Sequence, residues 1–399
     1  MNHASPFSSS PPFVPSSARR DAALSSSLSN GASSSGAGKP VAAPVHRGVN
    51  FGFYARNGYY SSETARQEVD RMAQLNVDWV CVIATVMQDS FSSTRQYRDF
   101  KMTPADDELR EIIDYIHGKG MHVQLRPMLE CWDGSQRGDI RFPSEGTIIP
   151  GKRKNHWTRW FASMEERTLH YARLARRAGC EAYGLDSELD HTTQQNTHWK
   201  NIVAAARSSF TGHLTTGHTL WLDILSELDA TPDHWFRDLD SLGVSFYPPL
   251  VEPEPGQENH NRIYHVPADA WIIGDKSFST MLRRLEGVRE HFTKIAASLG
   301  KPFYLAECGC CSAAGASSVP YRWDTPGGYD GEEQARFFEA IFSTFWDEPW
   351  WMGFYLWKWD EQNDRPAMRD DPRGDKGFTV WGKPAAETLR KWFTKNRTT

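Results

Sequence analysis

The run DWVCVIATV, residues 78–86, decides the fold. After Asp78 it is apolar almost without a break and rich in β-branched residues, with no alternation of polar and apolar positions. A strand of this kind is buried on both faces, as strands are in parallel sheets covered by helices. The flanks agree. Ser61 and Ser62 followed by Glu63 predict a capped helix to about Asn76. Beyond the run, Pro104 predicts the start of a helix that stops at Gly118-Lys119-Gly120.

The same strand-then-helix unit recurs to the end of the chain. GVNFGFY (48–54) reads as the first strand, MHVQLRPML (121–129) as the third and EAYGLDSEL (181–189) as the fourth. HLTTGH (213–218) is a weaker fifth, LGVSFYP (242–248) the sixth, PFYLAECG (302–309) the seventh and WMGFYLWKW (351–359) the eighth. Helices are predicted over about 156–178, 195–210, 279–299, 331–346 and 384–392, with a short helical stretch near 232–240. In the 279–299 helix, Leu282, Leu285, Val288, Phe292, Ile295 and Leu299 recur at helical spacing. Eight strands alternating with helices predict an α/β fold, a (β/α)₈ barrel, over residues 48–399 as one catalytic domain. A doubly wound sheet would carry a Gly-rich phosphate loop after an early strand, and the sequence has none.

Residues 1–47 are of another composition. Ser, Ala, Pro and Gly dominate, as in SSSLSNGASSSGAG (25–38), so the segment is expected to be a disordered tail. Arg19-Arg20 faintly resembles a twin-arginine signal, but the stretch after it is too Ser-rich for an apolar signal core. The expectation is therefore a cytoplasmic rather than a secreted protein. The 399 residues carry 45 Lys+Arg and 50 Asp+Glu, a net charge of −5. This argues against nucleic-acid binding, and no apolar run is long enough for a membrane span. The six cysteines, three of them in Cys308-Gly309-Cys310-Cys311, lack the second ligand pair of a zinc site and read as packed, reduced thiols. No metal constellation and no cofactor is expected. The 16 Trp residues exceed what a core needs and fit either a Trp-rich core or a groove that stacks flat ligands such as sugars.

In a (β/α)₈ barrel the chemistry sits at the C-terminal strand ends. Strand four ends in Gly184-Leu185-Asp186-Ser187-Glu188 and strand seven in Leu305-Ala306-Glu307. Two carboxylates across one barrel mouth are the equipment for glycosidic cleavage: one protonates the leaving oxygen, the other attacks the anomeric carbon or activates water. Asp186, two residues before Glu188 on the same strand, is expected on the same face, where its charge would raise the pKa of Glu188. Arg126 ends strand three and is a candidate to pair with Glu307 or to bind substrate. Tyr247 ends strand six and is placed to hydrogen-bond Glu307. His218 ends strand five. Trp357 ends strand eight, with Trp359 expected on the same face. Trp132 and Asp133 follow strand three, and together with Trp157 and Trp323 they are candidate walls for sugar subsites. His191 and His198 straddle the start of the fourth helix and read as structural.

The stretches GVN at 48–50, GLDSEL at 184–189, YLAECG at 304–309, YLWKWD at 355–360 and GFTVWGKPA at 377–385 resemble clan A glycoside hydrolases, above all the family 113 endo-β-1,4-mannanases. The resemblance spans about residues 48–396. It implies a retaining hydrolase with Glu188 as acid/base and Glu307 as nucleophile, an aromatic platform at Trp357, and an oligo- or polysaccharide partner, β-1,4-mannan or manno-oligosaccharides first. Many clan members have Asn before the acid/base; here that place is Ser187. The alternatives are a hydrolase of another β-glycan such as a glucan, a carbohydrate-binding pseudoenzyme that keeps the Trp groove, and a metal-dependent barrel hydrolase. The last would need His and Asp ligands at several strand ends, and only His218 and Asp186 come near.

Overall fold

A computed structural model describes residues 45–143, 155–219, 224–251, 271, 273–366 and 370–396. The expected tail, up to residue 44, lies outside the described residues. Nine parallel strands form one sheet: β1 (His46–Phe51), β2 (Trp79–Gln88), β3 (His122–Cys131), β4 (Ala182–Gly184), β5 (His213–Thr215), β6 (Gly217–His218), β7 (Leu242–Phe246), β8 (Phe303–Cys308) and β9 (Trp351–Trp359). β1 pairs with both β2 and β9, and the series ends with β5 at one edge and β6 at the other. β5 and β6 are the two halves of the fifth barrel strand, separated by Thr216 alone, so the chain itself closes the barrel. The Thr216 carbonyl, freed by the break, accepts from Gly243 N at 2.9 Å.

Around the barrel stand α1 (Glu63–Gln74), α2 (Asp106–Gly118), α3 (His156–Arg177), α4 (Asn196–Ser209), α5 (Ile224–Ala230), α6 (Phe278–Leu299), α7 (Gly331–Phe345) and α8 (Pro384–Phe393). Their starts follow from local chemistry. Ser62, Asn155, Ser277 and Asp330 each accept a backbone N–H of the first turn, a contribution of about 1 kcal/mol apiece. β2 shows why its sequence lacks alternation. Cys81 and Ile83 point into the barrel with Met128, Tyr304, Ala306, Met352, Tyr355 and Trp357. Val80, Val82, Ala84 and Val86 point out against the helices. Each large side chain so buried contributes about 1.5–3 kcal/mol of transfer free energy.

Three boundaries differ from the sequence reading. The first strand begins at His46, inside the expected tail, because Arg47 is tied to Asp78 through both its backbone N–H (2.7 Å) and its guanidinium (2.9 Å). The fourth strand ends at Gly184, not 189. The helix expected near 232–240 is instead α5 followed by a short 3₁₀ turn at Trp235–Asp238. All six cysteines are free and buried. Most of the Trp surplus is core: Trp160, Trp199, Trp235, Trp346, Trp351 and Trp359 are fully buried.

Candidate active site

Glu307 lies on β8, and its aim depends on a bulge. Leu305 pairs with Val244 and Glu307 with Ser245, so β8 spends two steps where β7 spends one. The same extra residue shows on the other side, where Leu305 to Cys308 on β8 spans only Phe354 to Leu356 on β9. In a regular strand Tyr304 and Ala306 would face inward and Glu307 outward. The bulge turns Glu307 inward as well, a common use of bulges beside active sites. Its carboxylate is almost wholly buried. Oε1 accepts from Ser187 Oγ at 2.8 Å and lies 3.0 Å from Arg126 Nη2; Oε2 accepts from the Tyr247 hydroxyl at 3.4 Å. Arg126 Nη2 also donates to Asn50 Oδ1 at 2.8 Å, and Asn50 Nδ2 donates to the Ala306 carbonyl at 2.9 Å. β1 thus braces both the bulge and the arginine.

Glu188 sits just past β4, in a left-handed backbone conformation (φ 57°). Its N–H donates to the Gly217 carbonyl at 3.2 Å, which ties it to the second half of the broken fifth strand. Its side chain keeps 24% exposure. Oε2 accepts from Arg137 Nη2 at 3.0 Å, and Arg137 also pairs with Glu130 at the end of β3. Burial pushes the Glu188 carboxyl up to about 7. The neighbouring charge of Glu307 adds to that rise, Asp190 adds a little, and Arg137 and a Ser245 hydrogen bond oppose it. Burial holds the Tyr247 phenol well above its ordinary range, and the two carboxylates add to it, so it remains a donor.

Asp186 does not join this pair. The strand ends before it, and its carboxylate faces α3, where Arg167 Nη1 lies 2.6 Å from Oδ2. Oδ1 accepts from the Ser187 and Leu129 N–H groups at 2.7 and 3.4 Å. The charge expected from Asp186 comes instead from Glu307. Trp359 is also not on the face of Trp357. β9 spends three steps from Leu356 to Trp359 where β1 spends two from Val49 to Phe51. The extra residue turns Trp359 outward, and its Nε1 donates to Glu68 on α1 at 2.9 Å. Trp357 remains inside, edge-on to Phe53 with ring centroids 5.0 Å apart. Gly309 makes the junction of β8 and β9 possible: a Cβ there would lie 2.1 Å from the Trp357 carbonyl oxygen.

His218 pairs with Asp190 at 3.2 Å, joining the segments after the fourth and fifth strands. Trp132 and Trp323 stand exposed, at 50% and 62%. Trp157 is buried against Phe142 and Phe161 and is core. Asp133 caps its own turn, accepting from the Ser135 N–H and hydroxyl. His191 bonds the Gly138 carbonyl and His198 stacks on Phe161. Among the described residues no group of three or more His, Cys, Asp or Glu side chains is arranged to hold a metal ion. Sequence reading overlooked Arg137, Glu130, Asn50, Ser245 and Phe53. For Glu130 the signal was present, a carboxylate on the rim at the end of the third strand. Arg137 lies in a loop and had none.

Residues 49–383 match the sequence profile of Glycoside Hydrolase Family 113. The chain belongs to this family. It is a glycoside hydrolase of the β-mannanase type, and the family resemblance of its motifs holds at the level of the whole barrel. Among solved structures, a GH113 β-1,4-mannanase in complex form is 25% identical, with 88% of this chain and 99% of that one covered and a TM-score of 0.70. The GH113 β-mannanase AaManA from Alicyclobacillus acidocaldarius, in complex with ManMIm, is 26% identical over 88% of this chain and 97% of that one, with a TM-score of 0.69. A family 5 mannosidase from Rhizomucor miehei shares the fold, at 14% identity and a TM-score of 0.53. Among curated proteins none matches the sequence.

Proposed function

We propose that this GH113 enzyme hydrolyses β-1,4-mannan or manno-oligosaccharides with retention, Glu188 acting as acid/base and Glu307 as nucleophile. One observation carries the reading: of two carboxyls at one barrel mouth, each 3.0 Å from a guanidinium, one is held by two further hydroxyls and the other is pushed up by burial and by the charge of the first. Glu307 lies against a guanidinium and two hydroxyls. Glu188 is held up to about 7, where a carboxyl can still deliver a proton near neutrality. The mannan assignment rests on the names of the family neighbours.

The step follows from the atoms. The Glu188 proton goes to the glycosidic oxygen as its bond to the anomeric carbon breaks. Glu307 forms an ester to that carbon through Oε2, because Oε1 is engaged by Ser187 and Arg126. Glu188, now a carboxylate, then takes a proton from water, whose oxygen bonds to the anomeric carbon as the bond to Glu307 Oε2 breaks and frees the Glu307 carboxylate. Trp357 lies on the floor beneath the sugar, and half-exposed Trp132 lies farther out on the rim.

Reducing-sugar release from soluble β-mannan, glucomannan, β-glucan and xylan tests the proposal, with Glu307→Gln in parallel. Release from mannans that falls by several orders of magnitude in the variant, with the anomeric configuration kept in the first product seen by NMR, is the expected result. Release from glucan or xylan alone overturns the substrate, an inverted product overturns the mechanism, and a fully active variant overturns the nucleophile.

A further inference from the structure

Arg137 is a buried cation with no place in the mechanism above. It stands on a short 3₁₀ turn (Arg137–Asp139) in the loop after β3 and is 8% exposed. One side of its guanidinium meets Glu130, the other meets Glu188 Oε2 at 3.0 Å. Its carbon lies 6.0 Å from the centre of the Phe53 ring, which itself touches Trp357. The turn is docked on the segment that carries Glu188. A Cβ on Gly138 would lie 3.3 Å from the Glu188 carbonyl, and His191 reaches the Gly138 carbonyl from the same segment. Burial disfavours the Arg137 charge, but Glu130, then Glu188, more than offset it.

We infer that the Glu130–Arg137 pair is a positioning device for Glu188, fixing the orientation of its carboxyl and setting the pH at which it gives up its proton. The inference rests on Glu188 being the acid/base. A fork held by two carboxylates cannot follow Glu188 as it rotates, because Glu130 anchors the other side. Glu130 also divides the field of the guanidinium, so Glu188 is stabilised as a carboxylate less than it would be by a dedicated arginine. The other groups that act on Glu188 are Glu307 from β8, Asp190 from its own segment and Ser245 from β7. Tyr247 faces both carboxylates, and Glu307 and Asp186 lie within the field of Arg137 and Glu130.

The two halves of the pair predict opposite signs. Arg137→Met removes the positive charge, so the alkaline limb of kcat/KM moves up by roughly one unit or more. Its kcat on a glycoside with a poor leaving group falls by about tenfold or more, because the acid is no longer held in line. An aryl glycoside with a good leaving group, which needs no acid, is spared. Arg137→Lys, which keeps the charge without the fork, restores the limb but not the rate. Glu130→Gln removes the competing carboxylate and moves the limb down. Should Arg137→Met fail to fold, the double variant Arg137→Met/Glu130→Gln leaves no unpaired charge and is expected to shift up as well. A limb that stays fixed in the folded variants, or shifts of the same sign in Arg137→Met and Glu130→Gln, overturns the inference. Glu188→Gln separates this failure from that of the acid/base reading. If its loss does not depend on the leaving group, Glu188 is not the acid, whatever Arg137 does.

Discussion

At the scale of single residues the site is a contest over one proton. Glu188 and Glu307 share one barrel mouth, and the charge on one disfavours charge on the other. Burial comes first in raising Glu188, and Glu307 comes second. Neutralising Glu307 therefore lowers the Glu188 pKa from about 7 toward the ordinary carboxyl range. The check is a carbon-13 titration of the labelled Glu188 carboxyl in Glu307→Gln, with an unchanged midpoint as the result that sinks the argument. In the proposed mechanism the same coupling has a use in turnover. When Glu307 becomes an ester its charge is gone, and Glu188 more readily becomes the carboxylate that deprotonates water. The placement of both glutamates at one mouth was readable from sequence, since Glu307 lies in an apolar strand and Glu188 follows one at the catalytic rim. Asp186 was misread because two-residue spacing decides a face only while the strand continues, and this one stops at Gly184.

At the scale of elements, bulges decide what faces the substrate. One extra residue in β8 brings Glu307 inward, and one extra residue in β9 takes Trp359 out. The bulged segment of β8 needs other partners, and Asn50 on β1 supplies them by donating to the Ala306 carbonyl while accepting from Arg126. Asn50→Ala leaves both groups buried without this partner. We expect a loss of about 1–3 kcal/mol in denaturant unfolding and a fall in kcat, because Arg126 and the Glu307 backbone lose a shared brace. A variant that is less stable but fully active would show that the bulge holds without Asn50. This scale was the least legible in the sequence. Alternation predicts faces well for β2, which has no bulge, and fails for β9 by the one residue that strand adds. The Asn of GVN was visible as part of a family resemblance, but its work depends on a carbonyl some 256 positions away.

At the scale of the whole molecule the site costs stability, and the cost depends on pH. Glu188 has its carboxyl raised to about 7 in the folded chain against 4.5 for an unperturbed group. A carboxyl raised by folding binds its proton more tightly in the native state. Its contribution is fully present below the unfolded value and is lost as pH rises through the folded one. Between roughly pH 4.5 and 7 the native state therefore surrenders about 3 kcal/mol at this one position. That penalty falls on a domain whose net stability is expected to be only about 5–15 kcal/mol. Glu188→Gln removes the titration while keeping a group of the same shape, and Arg137 retains Glu130. The variant is expected to match the parent in thermal unfolding near pH 4 and to exceed it above pH 7, the Tm difference growing across that window while hydrolysis is lost. Equal stability at both pH values would mean that Glu188 ionises without penalty, and the barrel mouth would then be wetter than its burial implies. A gain confined to high pH would show that the barrel gives up stability to keep a carboxylic acid protonated near neutrality.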